Sequence, residues 1–265
     1  MVNRSTRAAL AAALALALVP AAAAARTDGS KPMSIGLYDN LTSVSQATFD
    51  AVGAKNVSGP GQFTVEKLTG KPLTSNGKPV LLTGNLAWCP HCAANSWAIA
   101  LALLHFGEFT KLRTIDTGTY FGSHGGPKGT NHTKGISFFN AGYNSDYVVL
   151  QSVVYNDLKG RKLQPFSPAQ KQAVQFSRGS FPVTNIGGLY GTVGSGYDPL
   201  YLRGSKLTHR QVVAALHRPT SAIAKRVDGL ANFFTAAICQ ATDGQPADVC
   251  GTPGVKAGAK KLPSS

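Results

Sequence analysis

The feature that most constrains this chain is a pair of cysteines, Cys89 and Cys92, placed between two apolar segments. The run Pro79–Thr83 before them is short, apolar and followed by a glycine, which predicts a buried strand. The run from Cys89 to Phe106 is apolar almost all round and is followed by Gly107, which predicts a largely buried helix. The chain therefore passes from a buried strand through the cysteine pair directly into a buried helix.

The spacing of the two cysteines suits thiol–disulfide exchange. That reaction needs one accessible thiolate to attack a disulfide and a second sulfur within reach to resolve the mixed disulfide. Cys89, at the mouth of the helix, lies near free backbone N–H groups and the positive end of the helix dipole, which stabilise a thiolate. Cys92 follows one turn later, and His91 between them can add a cation or a hydrogen bond. We therefore expect Cys89, Cys92 and His91 to be catalytic.

The first 25 residues have the layout of a secretory signal. Arg4 and Arg7 precede an apolar run, Ala8–Val19, whose twelve residues fall short of the roughly 20 that span a bilayer. Small residues up to Ala25 offer cleavage sites before Arg26. An uncleaved anchor over Ala8–Ala25 is the alternative. Either interpretation places the rest of the chain outside the cytoplasm, as a secreted, wall-associated or membrane-anchored protein.

The charge of the chain points to no specific partner. The 26 basic residues outnumber the 12 acidic ones, giving a net charge of +14. The basic residues are scattered, with short doublets and no basic helix or RNA-binding signature, so we expect no nucleic acid partner. Contact with anionic lipid or wall polymer fits an exported chain better, and a solvated basic surface is the simplest interpretation.

The chain has four cysteines, and their spacing divides them into two pairs. Cys239 and Cys250 are eleven apart near the C-terminus, and in an exported chain they predict a structural disulfide. A zinc site would usually need a second closely spaced pair, which this chain lacks. Copper held by Cys89 and Cys92 with His124 or His132 is the alternative that stays open. We predict no metal and no cofactor.

Apolar patterns and turn residues predict an α/β chain with a single domain over residues 26–253. Residues 114–135 are rich in Gly, Ser, Thr and His, which predicts a surface connection. Residues 254–265 are rich in Lys, Gly, Pro and Ser, which predicts a basic disordered tail. Further strands are predicted at Phe63–Leu68, Ile136–Phe139, Tyr147–Tyr155 and Phe181–Gly187, and further helices at Val44–Val52, Pro168–Phe176, Thr208–His217 and Thr220–Gln240.

The Cys89-Pro90-His91-Cys92 centre resembles that of periplasmic disulfide oxidants in the thioredoxin superfamily. The order of strand, dithiol and buried helix is also that of a thioredoxin active site. In such folds a cis-proline begins the strand that faces the dithiol, and Pro182 has the matching place at the head of a later strand. The resemblance implies that Pro182 belongs to the site and that the Phe181 backbone is free to pair with an extended substrate.

Motifs along the chain resemble a family of exported or membrane-anchored thioredoxin-like proteins known as domain of unknown function 929. The resemblance implies a thioredoxin-like central mixed sheet flanked by helices, with insertions and C-terminal helices, but no assigned reaction. Relatives often have an acidic residue just before the dithiol, whereas no carboxylate occurs here between Lys67 and Glu108. The motifs are Asp50-Ala51-Val52-Gly53, Pro72-Leu73-Thr74-Ser75-Asn76-Gly77-Lys78-Pro79, Cys89-Pro90-His91-Cys92-Ala93-Ala94, Trp97-Ala98, Phe106-Gly107, Phe181-Pro182, Ala231-Asn232, Ala236-Ala237-Ile238-Cys239 and Val249-Cys250.

Together these features predict an extracytoplasmic protein disulfide oxidoreductase that is more an oxidant than a reductase. The absence of a carboxylate near the dithiol favours that direction, because a buried base speeds reductase turnover. We expect exported cysteine-containing proteins as clients and, by analogy, a membrane redox partner that recycles the dithiol. The alternatives are a copper-binding, metallochaperone-like protein and a thioredoxin-like binding module without catalysis.

Overall fold

The computed structural model describes residues 26–57, 63–118, 120, 132–204 and 206–263. The predicted signal peptide and His124 lie outside these residues. The described residues form a mixed α/β fold, in which helices pack against a central mixed sheet and further helices follow at the C-terminus. In the part of the chain that the structure describes, no helix has the length and apolarity needed to cross a membrane.

The elements are numbered here in chain order. The strands are β1 (Lys31–Pro32), β2 (Thr64–Lys67), β3 (Thr74–Ser75), β4 (Lys78–Leu86), β5 (Gly107–Phe109), β6 (Arg113–Asp116), β7 (Lys134–Ser137), β8 (Tyr143–Ser145), β9 (Val149–Asn156), β10 (Val183–Ile186) and β11 (Tyr190–Val193). The helices are α1 (Ile35–Thr42), α2 (Gln46–Val52), α3 (Pro90–Leu104), α4 (Pro168–Ala173), α5 (His209–Leu216), α6 (Ala222–Ala241), α7 (Ala247–Cys250) and α8 (Pro253–Ala259). Short 3₁₀ turns follow α4 and β11.

The central sheet places three strand ends beside the cysteine pair. Its long strands have the order β2-β11-β10-β4-β9, with β4 parallel to β9 and antiparallel to β10. Val183 at the start of β10 pairs with Gly84 near the end of β4, and also with Val193 at the end of β11. The loop before β10, the loop after β11 and the turn that carries Cys89 therefore lie together at one end of these strands.

Strand β4 is central because both of its faces are apolar. Successive side chains of a strand point to opposite faces, and here Leu81 joins the main core with α3 and α6. Val80 and Leu82 point to the other face, where Phe166 and Val174 cover them. A strand covered on both faces appears in sequence as a continuous apolar run, which is why the pattern predicted it.

Helix α3 (Pro90–Leu104) lies within the segment Cys89 to Phe106 that the sequence predicted as a helix. Cys89 is its N-cap and Pro90 is its first residue, a position where the missing N–H of proline costs nothing. The helix packs between α6 and β7, and Trp97 donates from Nε1 to the Lys134 carbonyl oxygen at 2.8 Å. Its burial on all sides confirms the prediction from its uniformly apolar composition.

Two elements lie where the sequence patterns predicted none, and one predicted surface connection contributes to a pair of strands. The turn-rich start of the chain contains α1, which Ser34 caps by accepting from the Leu37 N–H. The glycine-rich stretch after β10 contains β11, which pairs with β10 on one side and with β2 on the other. The predicted surface connection over 114–135 instead contributes β6 and β7, an antiparallel pair with Ile115 and Lys134 buried. Residues 119 and 121–131 of that connection lie outside the described residues.

The predicted disordered tail was wrong over its first half. Helix α8 covers Pro253–Ala259, and its buried residues are Gly254, Val255 and Gly258. Two glycines four residues apart share one helix face, so the backbone of α8 can lie directly against α6 at Asn232. The composition suggested disorder because it contains few large apolar residues, but close backbone packing buries this helix without them.

The second cysteine pair forms the predicted disulfide. Cys239, near the end of α6, is bonded to Cys250 at the end of α7, with 5.7 Å between their Cα atoms. The bond encloses the turn between the two helices. The pairing leaves Cys89 and Cys92 as the free cysteines among the described residues.

Helix α6 carries a buried carboxyl group, that of Asp228. Asp228 is 0% exposed, and neither side-chain oxygen has a hydrogen-bond partner among the described residues. Burial raises the pKa of Asp228 well above its ordinary value. Because the folded-state pKa exceeds the unfolded one, the folded state loses stability as the pH rises above the unfolded pKa.

We predict that Asp228→Asn increases the free energy of unfolding, and that the increase grows with pH. The difference in unfolding free energy between the variant and the wild type should grow by up to about 1.4 kcal/mol per pH unit between acidic and neutral pH. The reason is that the folded wild type keeps a proton on Asp228 that its unfolded state releases, whereas asparagine does not titrate. Denaturant unfolding of both proteins across that range is the measurement. Asp248→Asn, which removes a negative charge from an exposed position, is the control. A difference that does not change with pH would contradict the assignment.

Candidate functional site

The Cys89 sulfur is held at the open end of α3. After β4 the chain turns through Ala87 and Trp88, and the Ala87 N–H donates to the carbonyl oxygen of Asn156 at the end of β9 at 3.0 Å. Cys89 has extended backbone angles and caps the helix, since its Sγ accepts from the Cys92 N–H at 3.3 Å. An N-cap side chain that accepts a backbone N–H is the usual solution at a helix start, and here a sulfur fills that role.

Cys92 lies one turn further along α3 and faces the sheet. Its Sγ accepts from the Leu86 N–H at 3.4 Å, so the last residue of β4 holds it in place. Only 3% of Cys92 is exposed, against 6% of Cys89. A cavity of about 20 Å³, large enough for one water molecule, lies beside Cys92 and is bordered by Asn85 and Ser137.

The environments of the two sulfurs shift their pKa values in opposite directions. Burial raises the pKa of Cys89, but hydrogen bonds from the Cys92 thiol and from the backbone N–H groups of Cys92 and His91 outweigh it, so that the pKa is lowered. Burial and the neighbouring Cys89 raise the pKa of Cys92 well above its ordinary value. A thiolate forms first at Cys89, and Cys92 keeps its proton and donates a hydrogen bond to it.

Pro182 lies at the same edge of the sheet. The Phe181–Pro182 peptide bond is cis, as the resemblance implied, and the Pro182 carbonyl oxygen accepts from the Gly194 N–H at 2.9 Å. The next residue, Val183, pairs with Gly84 on the strand that leads to Cys89. The main-chain groups of Phe181 make no hydrogen bond within the described residues.

His91 lies at the site, but its ring bonds outside the cysteine pair. Its Nδ1 is 2.8 Å from the Ser195 hydroxyl oxygen, in the loop after β11. Burial lowers the pKa of His91, and the Asp198 carboxylate opposes that shift in part. The stabilisation of Cys89 by this residue comes from its backbone N–H. The sequence-based expectation named a cation or a hydrogen bond, and the contribution found here is a hydrogen bond from the main chain.

Two further residues at the site were missed in the sequence. Ser195 lies in a glycine-rich stretch, and only the pairing of β10 with β11 brings it to His91. Asp28 is fully buried and accepts from the hydroxyl of Ser137, which borders the cavity beside Cys92. A buried carboxylate is therefore present near the site, contributed by the start of the chain rather than by the segment around the dithiol.

Among the described residues, those considered for metal binding do not form a cluster of three ligands. His132 bonds to Asp116 through Nδ1 at 3.1 Å, and Cys239 and Cys250 are joined to each other. Within residues 26–57, 63–118, 120, 132–204 and 206–263, no three side chains of His, Cys, Asp or Glu are placed to hold a metal ion. His124 lies outside these ranges.

Comparison with known proteins identifies one matching family model. Residues 64–176 match the domain of unknown function DUF929, a segment that runs from β2 through the dithiol and α3 to the turn after α4. Pro182 and Ser195 lie beyond the match. No curated protein and no solved structure matches the chain. The match supports the resemblance seen in the sequence and assigns no reaction.

We predict that the thiol of Cys92 lowers the pKa of Cys89. Cys92→Ala removes the donor and should raise the Cys89 pKa above its wild-type value, whereas Cys92→Ser keeps an O–H donor and should raise it less. The ultraviolet absorbance of the thiolate, followed across a pH titration, measures this in both variants. Cys239 and Cys250 do not titrate because they are bonded, so Cys89 is the cysteine observed. Equal pKa values in the two variants would contradict the hydrogen bond.

Proposed function

We propose that this protein is an extracytoplasmic thiol–disulfide oxidoreductase that acts on exported cysteine-containing client proteins. The observation that carries the proposal is the placement of two free thiols one turn apart at a helix N-terminus, where the Cys92 N–H donates to Cys89 Sγ and the Leu86 N–H donates to Cys92 Sγ. These surroundings lower the pKa of Cys89 and raise the pKa of Cys92. That asymmetry suits a division of labour in which Cys89 bonds to the client. Cys92 is the sulfur displaced when a client is oxidised, and it is the sulfur that resolves the mixed disulfide in the reverse direction.

The arrangement of elements around the dithiol supports a thioredoxin-like core. Strand β4 leads to the dithiol and α3, and the parallel strand β9 lies beside it. The strand β10, which follows the cis-proline, lies on the other side of β4, and β11 and α6 complete the order. This resembles the thioredoxin-like order expected from the sequence, with β1, β6, β7 and the remaining elements as additions.

The surface beside Pro182 supports binding of an extended client segment. Because the Phe181 N–H and C=O have no partner within the described residues, they are free to pair with the main chain of a client. The rings of Phe181, Phe166 and Tyr155 stack on one another, with centroids 5.7–6.2 Å apart. They fix the position of Phe181 and offer apolar surface next to the free backbone groups.

The disulfide and the N-terminal sequence support a location outside the cytoplasm. Disulfides persist mainly in oxidising compartments, and Cys239 and Cys250 are joined. The apolar run Ala8–Val19 provides the export signal that such a location requires. A membrane protein that recycles the dithiol is part of the proposal by analogy.

We predict that the Cys89–Cys92 pair is an oxidant. Hydrogen bonds that stabilise the Cys89 thiolate favour the reduced form, and a more stable reduced form makes the disulfide easier to reduce. The reduction potential should therefore lie closer to the value of about −120 mV found for a strong oxidant than to about −270 mV for thioredoxin. Equilibration with glutathione buffers, read by trapping the free thiols, gives the potential. A value near that of thioredoxin would reverse the direction proposed here.

We also predict that Cys92→Ser traps clients. Without its resolving sulfur, a mixed disulfide between Cys89 and a client should persist, and bands of higher mass should appear under non-reducing conditions and vanish with reductant. Cys89→Ser is the matched control and should trap little, because Cys92 is shielded and holds its proton. Near-ultraviolet circular dichroism establishes that both variants are folded. Equal trapping by both, or none by either, would favour a binding module without catalysis.

A further inference from the structure

The hydroxyl group of Ser195 has two hydrogen-bond partners but only one proton. Its oxygen is 2.8 Å from His91 Nδ1 and 2.9 Å from the carbonyl oxygen of Tyr197. A carbonyl oxygen can only accept, so the Ser195 proton must be donated to Tyr197. The bond to His91 then requires the serine oxygen to accept, and Nδ1 must carry the proton.

This hydrogen-bond order determines which ring nitrogen of His91 is basic. A neutral imidazole has one N–H, and with the proton on Nδ1 the Nε2 atom keeps a free lone pair. The neutral form is favoured because burial lowers the pKa of His91, although the carboxylate of Asp198 acts in the opposite direction. Among the described residues, the charged group that acts on the ring is the Asp198 carboxylate, and Cys89 and Cys92 flank His91 in the chain.

The loop that carries Ser195 is itself fixed to the helix that carries His91. The Tyr197 hydroxyl donates to the Ala94 carbonyl oxygen on α3 at 2.5 Å, and the Gly194 N–H donates to the Pro182 carbonyl oxygen at 2.9 Å. Ser195 and Tyr197 are 1% and 2% exposed, so neither bond competes with bulk water. The acceptor for Nδ1–H is therefore in place before any client binds.

We infer that Ser195 is a positioning residue that holds His91 with its proton on Nδ1, so that Nε2 accepts the proton of a client thiol during disulfide exchange. This rests on the proposed function. It assigns to His91 the role of a neutral base, whereas the sequence alone suggested a group that stabilises the Cys89 thiolate.

The exchange can be written with every proton and electron placed. A client thiolate attacks Cys89 Sγ, the Cys89–Cys92 bond breaks, and Cys92 leaves with the electron pair and takes up a proton from solvent. The second client thiol gives its proton to His91 Nε2 and attacks the client sulfur bonded to Cys89. That bond breaks, Cys89 leaves as the thiolate, and His91 releases its proton to water. The client loses two electrons and the protein disulfide gains them.

The first test measures the tautomer directly. Imidazole nitrogen chemical shifts distinguish Nδ1–H from Nε2–H, and the signal of His91 among the six histidines is identified by its loss in His91→Gln. Above neutral pH we expect Nδ1–H in the wild type, retention in Ser195→Thr and loss of the preference in Ser195→Ala. An Nε2–H tautomer in the wild type would overturn the inference, whether or not any variant folds.

The second test asks whether the tautomer matters for exchange. A mixed disulfide of Cys89 with a dithiol peptide is prepared, and its decay is followed in single-turnover experiments across pH. Ser195→Ala should slow the decay about tenfold and lose the limb of the pH profile that belongs to His91, and Ser195→Thr should restore both. Ser152→Ala is the matched control, because it also removes a hydroxyl that donates to a carbonyl, at 2.8 Å to Phe138, but on β9 and without a bond to His91.

The two tests separate the inference from the proposed function. If Ser195→Ala changes the tautomer but leaves the rate and the pH profile unaltered, the positioning role is wrong and disulfide exchange stands. If the wild type does not exchange disulfides at all, the proposed function is wrong, and with it the role of Nε2 as a base. A slowing of equal size in Ser152→Ala would attribute the effect to general destabilisation and would also overturn the inference.

Discussion

The burial of α3 on every side is the constraint on which the rest of the structure depends. Of its fifteen residues, only His91 and Leu104 are not fully buried, and these lie near its two ends. The sheet, α6 and β7 cover its length, so the helix contacts solvent only where it begins and where it ends. The N-terminal end carries the dithiol. The packing that stabilises the fold therefore also fixes where the two cysteines lie, buried at the N-terminal end of the helix beside the partly exposed His91.

The difference between the two cysteines follows from their positions on this helix. Both are buried, and burial alone would raise both pKa values. At the N-cap, Cys89 receives backbone N–H groups that have no partner within the helix, and these offset its burial. Cys92, one turn later, is also hydrogen-bonded by the N–H of Leu86, but burial and the neighbouring Cys89 outweigh its backbone donors. The same side chain thus has two reactivities.

The sequence was sufficient to predict the elements that are stabilised by the packing or bonding of their side chains. Strand β4 and helix α3 have uniform apolar patterns because both are buried, and the spacing of Cys239 and Cys250 predicted their disulfide. It was not sufficient for elements stabilised by backbone contacts. Strand β11 pairs through its main chain on both sides, and Gly191 lies against the ring of Phe176, so its glycine-containing sequence shows no strand pattern. Helix α8 packs through Gly254 and Gly258, which composition rules associate with disorder.

The candidate site shows the same division, since its adjacent residues were predicted from local sequence and the residues around them were not. Cys89, His91 and Cys92 are adjacent in the chain, whereas Ser195 is more than a hundred residues away and meets His91 only because β10 and β11 form a hairpin beside β4. The expectation that the His91 side chain stabilises the Cys89 thiolate rested only on the short distance between the two residues in the sequence. The ring of His91 is hydrogen-bonded to Ser195 in another loop. The Cys89 thiolate is stabilised by the Cys92 thiol and by neutral main-chain N–H groups. Its reactivity then depends on the geometry of the turn between β4 and α3, which the buried strand and helix hold in place.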